Sequence, residues 1–198
     1  MRSDNAKQLR RTQEQRSSTT RTALTEAAIE LLVARGWAAV TAVDVCKRVG
    51  LSRGAFHHHY DSIPALFADA LSRLYEDIRA GLRPRTTLVE VIDGGWAIIS
   101  ERRFKAVIEA WLAIANEPSL RDELGPIMVE FSTLMRPELL AQDLVADGER
   151  LDFYLLARET MFGLALGRAM NGGVALGHEQ PVLARLRADA AVIDTNAR

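Results

Sequence analysis

An arginine and three consecutive histidines lie close together in the stretch Arg53-Gly54-Ala55-Phe56-His57-His58-His59. Their side chains are hydrogen-bond donors, which suits contacts with phosphates and with the edges of bases. Histidines could instead bind a metal ion. However, consecutive residues on a helix point about 100° apart, whereas a chelating pair needs i, i+4 spacing on one face. We therefore predict no metal site here.

Two short helices that meet at a turn would position these side chains. Thr41 can cap the first helix with its hydroxyl, and Ser52 can cap the second. Gly50 can end the first helix, because glycine enters the left-handed conformation without steric cost. A helix of about seven residues cannot stand alone, so a neighbour must brace it. The apolar face of the first helix would serve this purpose, with Val45, Cys46 and Val49. The arrangement indicates a helix-turn-helix, whose second helix lies in the DNA major groove.

A longer amphipathic helix precedes this motif and would pack across it. It starts near Thr20 and ends at Gly36, after which Trp37 and Val40 fill the corner. Its apolar residues recur at helical spacing: Leu24, Ala27, Ala28, Leu31 and Leu32. Residues 1–19 have almost no large apolar side chains, so they are predicted to be a disordered basic arm. The arm could follow phosphates or enter the minor groove, or it could be a solvated tail without contacts.

Composition restricts the class of protein. The chain has 198 residues, of which 48% are hydrophobic, so it can bury a substantial core. Its single cysteine, Cys46, excludes a disulfide framework and a cysteine-based metal site, which fits a reducing cytoplasm. No run of about 18 apolar residues predicts a membrane span. Residues 1–60 carry ten Lys/Arg against five Asp/Glu, so the basic end of the chain is the end with the helix-turn-helix.

The remainder of the chain also reads as helical. Ser62 can cap a helix with Pro64 in its first turn, and this helix would join the basic head to the rest of the chain. No alternation typical of strands follows. Further helices are predicted over 87–100, weakened at Gly94-Gly95, over 103–115 and over 150–171, and a last one starts at Pro181. A segment from 118 to about 145 should be kinked or divided at Gly125-Pro126 and at Arg136-Pro137. The prediction is an all-α fold of about nine helices.

With these helices placed, the first 80 residues resemble the TetR family of bacterial transcription regulators. The similarity is carried without gaps by Ala27-Ala28, Leu31, Gly36, Thr41, Val45, Gly50-Leu51-Ser52, Gly54, Phe56, His59-Tyr60, Ser62 and Ala65-Leu66. The resemblance implies a DNA-binding domain over residues 20–62 and a ligand-binding and dimerisation domain over residues 63–198.

The resemblance also implies the residues that contact DNA. Thr41 would bond a backbone phosphate, and the second helix would present its exposed residues to bases or phosphates. The full set of candidates is Thr41, Arg48, Arg53, Ala55, His57, His58 and Tyr60. The sequence departs from the family at His57, where tyrosine is usual, and at Ile63, where lysine is usual. Since both usual residues touch phosphates, Arg48 or the basic arm would have to compensate.

Two further sites follow from the same resemblance. A homodimer would form through the last two large helices, where Gly163 and Gly167 form a small-residue strip; this strip could instead face a helix of the same chain. The dimer candidates are Gly163, Leu166, Gly167, Met170, Leu183 and Leu186. Aromatic and methionine side chains of the body are candidates to line a ligand pocket, or are simply core: Trp96, Phe104, Trp111, Met128, Phe131, Met135, Tyr154, Met161 and Phe162. Glu109, Arg158 and Glu159 are charged residues inside apolar stretches, so they would anchor a polar ligand group there or pair with each other.

The leading hypothesis is a ligand-responsive transcriptional regulator, specifically a repressor, that binds a palindromic operator as a homodimer and is released by a small-molecule effector. The alternative is a helical protein-interaction module without DNA binding or enzyme activity. No enzyme is predicted, because the sequence has no glycine-rich phosphate loop, no nucleophile elbow and no metal-ligand spacing. We expect no cofactor, and the expected partners are double-stranded DNA, a second copy of the chain and an unidentified effector.

Overall fold

The computed structural model describes residues 2–134 and 148–196, and every regular element in these ranges is helical. The α-helices, in chain order, are α1 (Arg2–Arg35), α2 (Ala42–Val49), α3 (Arg53–His57), α4 (Ile63–Gly81), α5 (Leu88–Ile99), α6 (Lys105–Asn116), α7 (Arg121–Leu134), α8 (Gly148–Met170) and α9 (Glu179–Asn196). Short 3-10 helices occupy Trp37–Ala39, Arg102–Phe104 and Pro118–Leu120. The predicted all-α class of about nine helices is confirmed within the described ranges. We call α1–α3 the head and α4–α9 the body.

Helix α1 is the element on which the head is built. It packs against α2 and also against α4 and α6 of the body, and its predicted apolar face is buried at Leu24, Ala28 and Leu32. The structure differs from the predicted disordered arm over residues 1–19, because α1 already begins at Arg2. Arg, Lys, Gln, Glu and Ala, which make up much of this stretch, have high helix propensity. Extending a helix that has already formed also needs no new nucleus.

The body packs α5 against α8 and α9, and α4 against α7. Helix α5 is continuous through Gly94 and Gly95, where the sequence predicts a weak point. The guanidinium of Arg85 covers Gly94, and the methyl end of Met161 covers Gly95, so neighbouring side chains occupy the space that the glycines leave. Among the described residues, no helix combines the length and apolar character needed to cross a bilayer.

Two predicted helix boundaries are wrong. Helix α7 is not divided at Gly125-Pro126, where the sequence predicts a kink or a division. Helix α9 begins at Glu179 and not at Pro181; proline is tolerated there because N–H groups in the first turn of a helix have no partner within it. The second predicted break, at Arg136-Pro137, lies outside the described residues.

Candidate DNA-binding site

Residues at both ends of helix α2 specify where it begins and where it ends. Thr41 and Asp44 form a capping box, in which the Thr41 hydroxyl accepts from the Asp44 N–H at 3.3 Å and the Thr41 N–H donates to Asp44 Oδ2 at 3.0 Å. Gly50 ends the helix with φ of 70°, in the left-handed region. The next N–H, that of Leu51, returns to the Cys46 carbonyl at 2.9 Å. The turn between α2 and α3 is therefore specified by residues within ten positions of one another.

Helix α3 presents its polar residues to solvent and its aromatic residue to the core. Ser52 caps it by accepting from the Ala55 N–H at 3.1 Å. Phe56 is completely buried, whereas Arg53, His57 and His58 are exposed. Within the described ranges, no hydrogen bond or ion pair joins the Arg53 guanidinium to another residue, so it is available to a ligand. Ala55 and His59 are half-buried.

Tyr60, which the resemblance implied as a DNA contact, lies inside the head with 5% of its surface exposed. Its hydroxyl donates to Asp69 Oδ2 of α4 at 2.5 Å, and the Arg21 guanidinium lies 5.3 Å from the centre of its ring. Burial and the hydrogen bond to Asp69 raise the pKa of Tyr60 to about 12. This placement contradicts a phosphate contact, because the head needs the ring to fill its core.

Asp69 completes a charged link between the head and α4. Arg21 of α1 donates to Asp69 Oδ2 from Nη2 at 3.1 Å, and Arg73 lies 3.5 Å from Asp69 Oδ1. Burial by itself would raise the pKa of Asp69. The hydrogen bond from Tyr60 and the charges of Arg21 and Arg73 outweigh it and hold the pKa below its ordinary value. The link therefore joins α1, Tyr60 in the segment between α3 and α4, and α4.

The remaining candidates of the head already have partners. The Thr41 hydroxyl donates to Asp44 Oδ2 at 2.5 Å, so a phosphate would have to replace that bond. Arg48 pairs with Glu30 of α1 while each side chain is 53% exposed. An exposed pair of this kind contributes at most about 1 kcal/mol, so Arg48 can exchange Glu30 for a phosphate at little cost. Ile63 lies partly buried at the start of α4 and packs on the core.

The predicted pocket residues of the body form a packed aromatic cluster. Phe104, Trp111, Phe131 and Phe162 lie with ring centres 5.4–6.5 Å apart. A cavity of only about 20 Å³ borders this cluster and is lined in part by Tyr154, Arg158, Met161 and Phe162. It can hold about one water molecule. A ligand could enter here only if these side chains moved.

Four other pocket candidates have contacts of their own outside the aromatic cluster. Glu109 accepts from the Trp37 N–H at 3.1 Å and so joins α6 to the segment between α1 and α2. The Arg168 guanidinium lies over the Trp96 ring at 5.3 Å. Met128 accepts a hydrogen bond from the Tyr75 hydroxyl at 3.6 Å. Arg158 donates to its neighbour Glu159 at 2.6 Å, which is the pairing that the sequence left open. Met135 lies outside the described residues.

The dimer candidates divide into buried and exposed residues. Leu183 and Leu186 are buried within the chain, which contradicts a role in contact with a partner. Gly167 faces Leu176 of the same chain, since a Cβ at Gly167 would lie 2.7 Å from Leu176 Cδ1. Leu166 and Met170 are 39% and 81% exposed. Gly163 is also exposed, with open space where a side chain would start.

Sequence reasoning missed two exposed apolar residues on the last two helices. Leu156 of α8 and Val192 of α9 are each 60% exposed. Leu156 precedes Gly163 by seven positions and Met170 by fourteen, so all three share one face of α8. This seven-residue spacing is visible in the sequence and could have indicated the exposed face of α8.

Comparison with known proteins identifies the head. Residues 24–70 match the profile described as "Bacterial regulatory proteins, tetR family". HTH-type transcriptional regulator CymR of Pseudomonas putida is 29% identical over 121 residues, which cover 57% of this chain and 60% of that protein. The head of the chain is therefore similar to the TetR family. HTH-type transcriptional regulator BetI of Agrobacterium fabrum is 27% identical over 129 residues, 61% of this chain and 62% of that protein.

Solved structures extend the similarity of fold to the TetR body. A TetR-family transcriptional regulator from a Rhodococcus species superposes with a TM-score of 0.64 at 17% identity, covering 86% of this chain and 97% of that one. GusR of Salmonella enterica gives a TM-score of 0.58 at 17% identity, covering 89% and 96%. The matches to the curated relatives span only about 60% of the length of those proteins. These relatives are named as transcriptional regulators and not as enzymes, in agreement with the prediction for this chain.

Proposed function

We propose that this protein is a TetR-family transcriptional repressor that binds a palindromic operator as a homodimer and is released by a small-molecule effector. The observation that carries the proposal is helix α3. Phe56 anchors it in the core, and Arg53, His57 and His58 remain exposed beside one another. A short helix that is braced on one face and carries donors on the other has the form of a major-groove reader.

The side chains of the head divide by the contact that each can make. Arg53 and His57 have the exposure to reach base edges or phosphates from α3, and His58 follows at its C-terminal end. Arg48 and Thr41, on the preceding helix and its cap, would hold phosphates after exchanging their present partners. Ala55 is half-buried and would contribute only an apolar surface. Tyr60 is buried in the head, where it supports α3, and it is left out of the proposed DNA contacts.

A dimer is part of the proposal because one helix of five residues reads too few base pairs for useful specificity. Leu156, Gly163 and Met170 give α8 an exposed face with apolar residues, and Val192 gives α9 another. A two-fold axis through these helices would bury both faces and place two α3 helices on one side of the dimer.

Release by an effector would follow from linkage. A ligand must bind better to the arrangement in which the two α3 helices are wrongly spaced for the operator. Helix α4 can transmit such a change, because Asp69 connects it to Tyr60 and Arg21 of the head. A shift of α4 would therefore move the head as a unit.

The test is a fluorescence-anisotropy titration against palindromes from the DNA that flanks the protein's own gene, at two salt concentrations. We expect saturable binding that weakens steeply as salt rises, because phosphate contacts release counterions. Arg53→Ala should weaken binding by about tenfold or more. Arg121→Ala, which removes an exposed arginine of the body, is the matched control and should change nothing. The absence of binding to any flanking palindrome would refute the proposal and favour a protein-interaction module.

A further inference from the structure

A cavity of about 450 Å³ lies where the head meets the body. Its walls come from the last turn of α1, from the end of α5 through the first turn of α6, and from the C-terminal end of α8 with Gly172 and Gly173. The apolar part of the lining consists of Val33, Ala34, Ile99, Ile108, Ala165 and Ala169. None of the four rings of the aromatic cluster lines it, so this junction cavity is a different place in the molecule.

The polar lining of the junction cavity is mainly cationic. Arg102, Lys105 and Arg168 contribute positive charges, and Glu101 contributes one negative charge. Arg168 is already neutralised, because its guanidinium makes two hydrogen bonds to the carboxylate of Glu179. Of the other two cations, Lys105 forms an ion pair with Glu109, whereas Arg102 has none within the described ranges.

Both of these cations have donors to offer. The Lys105 ammonium donates to the Val33 carbonyl at 2.8 Å and lies 3.7 Å from Glu109 Oε1, which is beyond hydrogen-bond distance. Since an ammonium carries three N–H groups, at least one is left for a ligand. Arg102 is exposed at the rim, and its side chain has no ion pair or hydrogen bond within the described ranges.

We propose that the junction cavity binds a small amphipathic carboxylate. Its carboxylate would lie between Arg102 and Lys105, and its hydrocarbon part would contact Val33, Ile108 and Ala165. The cavity volume is about 450 Å³, many times the roughly 30 Å³ that one water molecule occupies in the liquid. This size lies within the range of ordinary ligand sites, which combine apolar walls with a few polar groups.

Two hydrogen bonds beside the junction cavity connect a bound ligand to the head, which carries α3. Lys105 holds the Val33 carbonyl in the last turn of α1, and Glu109 beside it holds the Trp37 N–H just before α2. An anion that engages Lys105 would weaken its hold on the head and would change how the head is oriented on the body. This consequence rests on the proposed function, whereas binding of the carboxylate does not.

The binding test uses octanoate as the probe, in isothermal titration calorimetry with the full chain. We expect saturable binding with one site per chain, and binding of 1-octanol, which has the same chain length without the charge, at least about tenfold weaker. Arg102→Gln should weaken octanoate by about tenfold, and Arg121→Gln, the matched exposed arginine, should leave it unchanged. Lys105→Met should weaken octanoate as well, with its folding checked by circular dichroism.

Three outcomes would overturn the site. The first is the absence of saturable octanoate binding. The second is equal affinity of the wild type and Arg102→Gln for octanoate. The third is loss of octanoate binding in Trp111→Ala while Arg102→Gln binds normally, which would place the ligand in the aromatic cluster.

The DNA titration separates this proposal from the proposed function. Octanoate binding without operator binding would refute the repressor and leave the site standing. Operator binding without octanoate binding would do the reverse.

Discussion

Replacing Arg168 by methionine tests how the C-terminal end of α8 is held. The Arg168 guanidinium donates to Glu179 Oε1 at 3.0 Å and again to Oε2, to the Ser100 carbonyl at 3.1 Å, and stacks on Trp96. Glu179 is 1% exposed, and its other hydrogen bond among the described residues is from the Leu176 N–H at 2.8 Å. Arg168→Met therefore leaves a buried carboxylate without a cation.

Breaking a buried pair by removing one partner costs about 3–5 kcal/mol, because the remaining charge is uncompensated. Replacing both partners by apolar residues is often close to neutral. We therefore expect Arg168→Met to lower the free energy of unfolding by about 3–5 kcal/mol, and Arg168→Met/Glu179→Leu to recover most of the loss. With a denaturant slope of about 2 kcal/mol per molar urea, the single variant should unfold at roughly 2 M less urea.

The measurement is urea unfolding followed by circular dichroism, at one fixed protein concentration because association would also stabilise the chain. The pH dependence adds an independent check. The hydrogen bond from Arg168 holds the pKa of Glu179 below its ordinary value of 4.5. The contribution of the pair is therefore complete above that value and is lost as the pH falls through the lower, folded-state pKa. A loss below about 1 kcal/mol, or a double variant as unstable as the single one, would refute the reasoning.

Three further changes test other parts of the molecule. Tyr60→Phe removes the hydroxyl that donates to Asp69 and should cost about 1–3 kcal/mol in urea unfolding, while operator sequence preference stays the same; an altered preference would show that Tyr60 touches DNA. Met170→Glu should shift the protein toward monomer in light scattering, whereas Leu112→Glu, which changes another exposed apolar residue, should not; a monomeric wild type would contradict the proposed dimer. Ile63→Lys should tighten operator binding without changing preference, because it adds about one phosphate contact per subunit; weaker binding would show that the start of α4 does not face DNA.

The sequence by itself determined the parts of the protein that depend on neighbours along the chain. The caps at Thr41, Ser52 and Ser62 and the left-handed Gly50 are short-range effects, since each partner lies within a few residues. The apolar period of α1 also predicts its buried face. For these reasons, the helix-turn-helix and the family could be inferred without coordinates. The length of α1 could not, because low apolar content excludes a packed core but does not exclude an exposed extension of a helix that has already formed.

Only the tertiary structure decided whether a given side chain is buried within the chain or exposed, and which distant residue it contacts. Leu183 and Met170 are both apolar residues on the last two large helices, yet the first is buried within the chain and the second is exposed. Glu109 reads as a pocket anchor in the sequence but accepts from Trp37, 72 positions away. The junction cavity likewise joins α1, α6 and α8, whose lining residues are distant in the chain. Helical periodicity specifies the face on which a residue lies, whereas what covers that face depends on how whole helices pack.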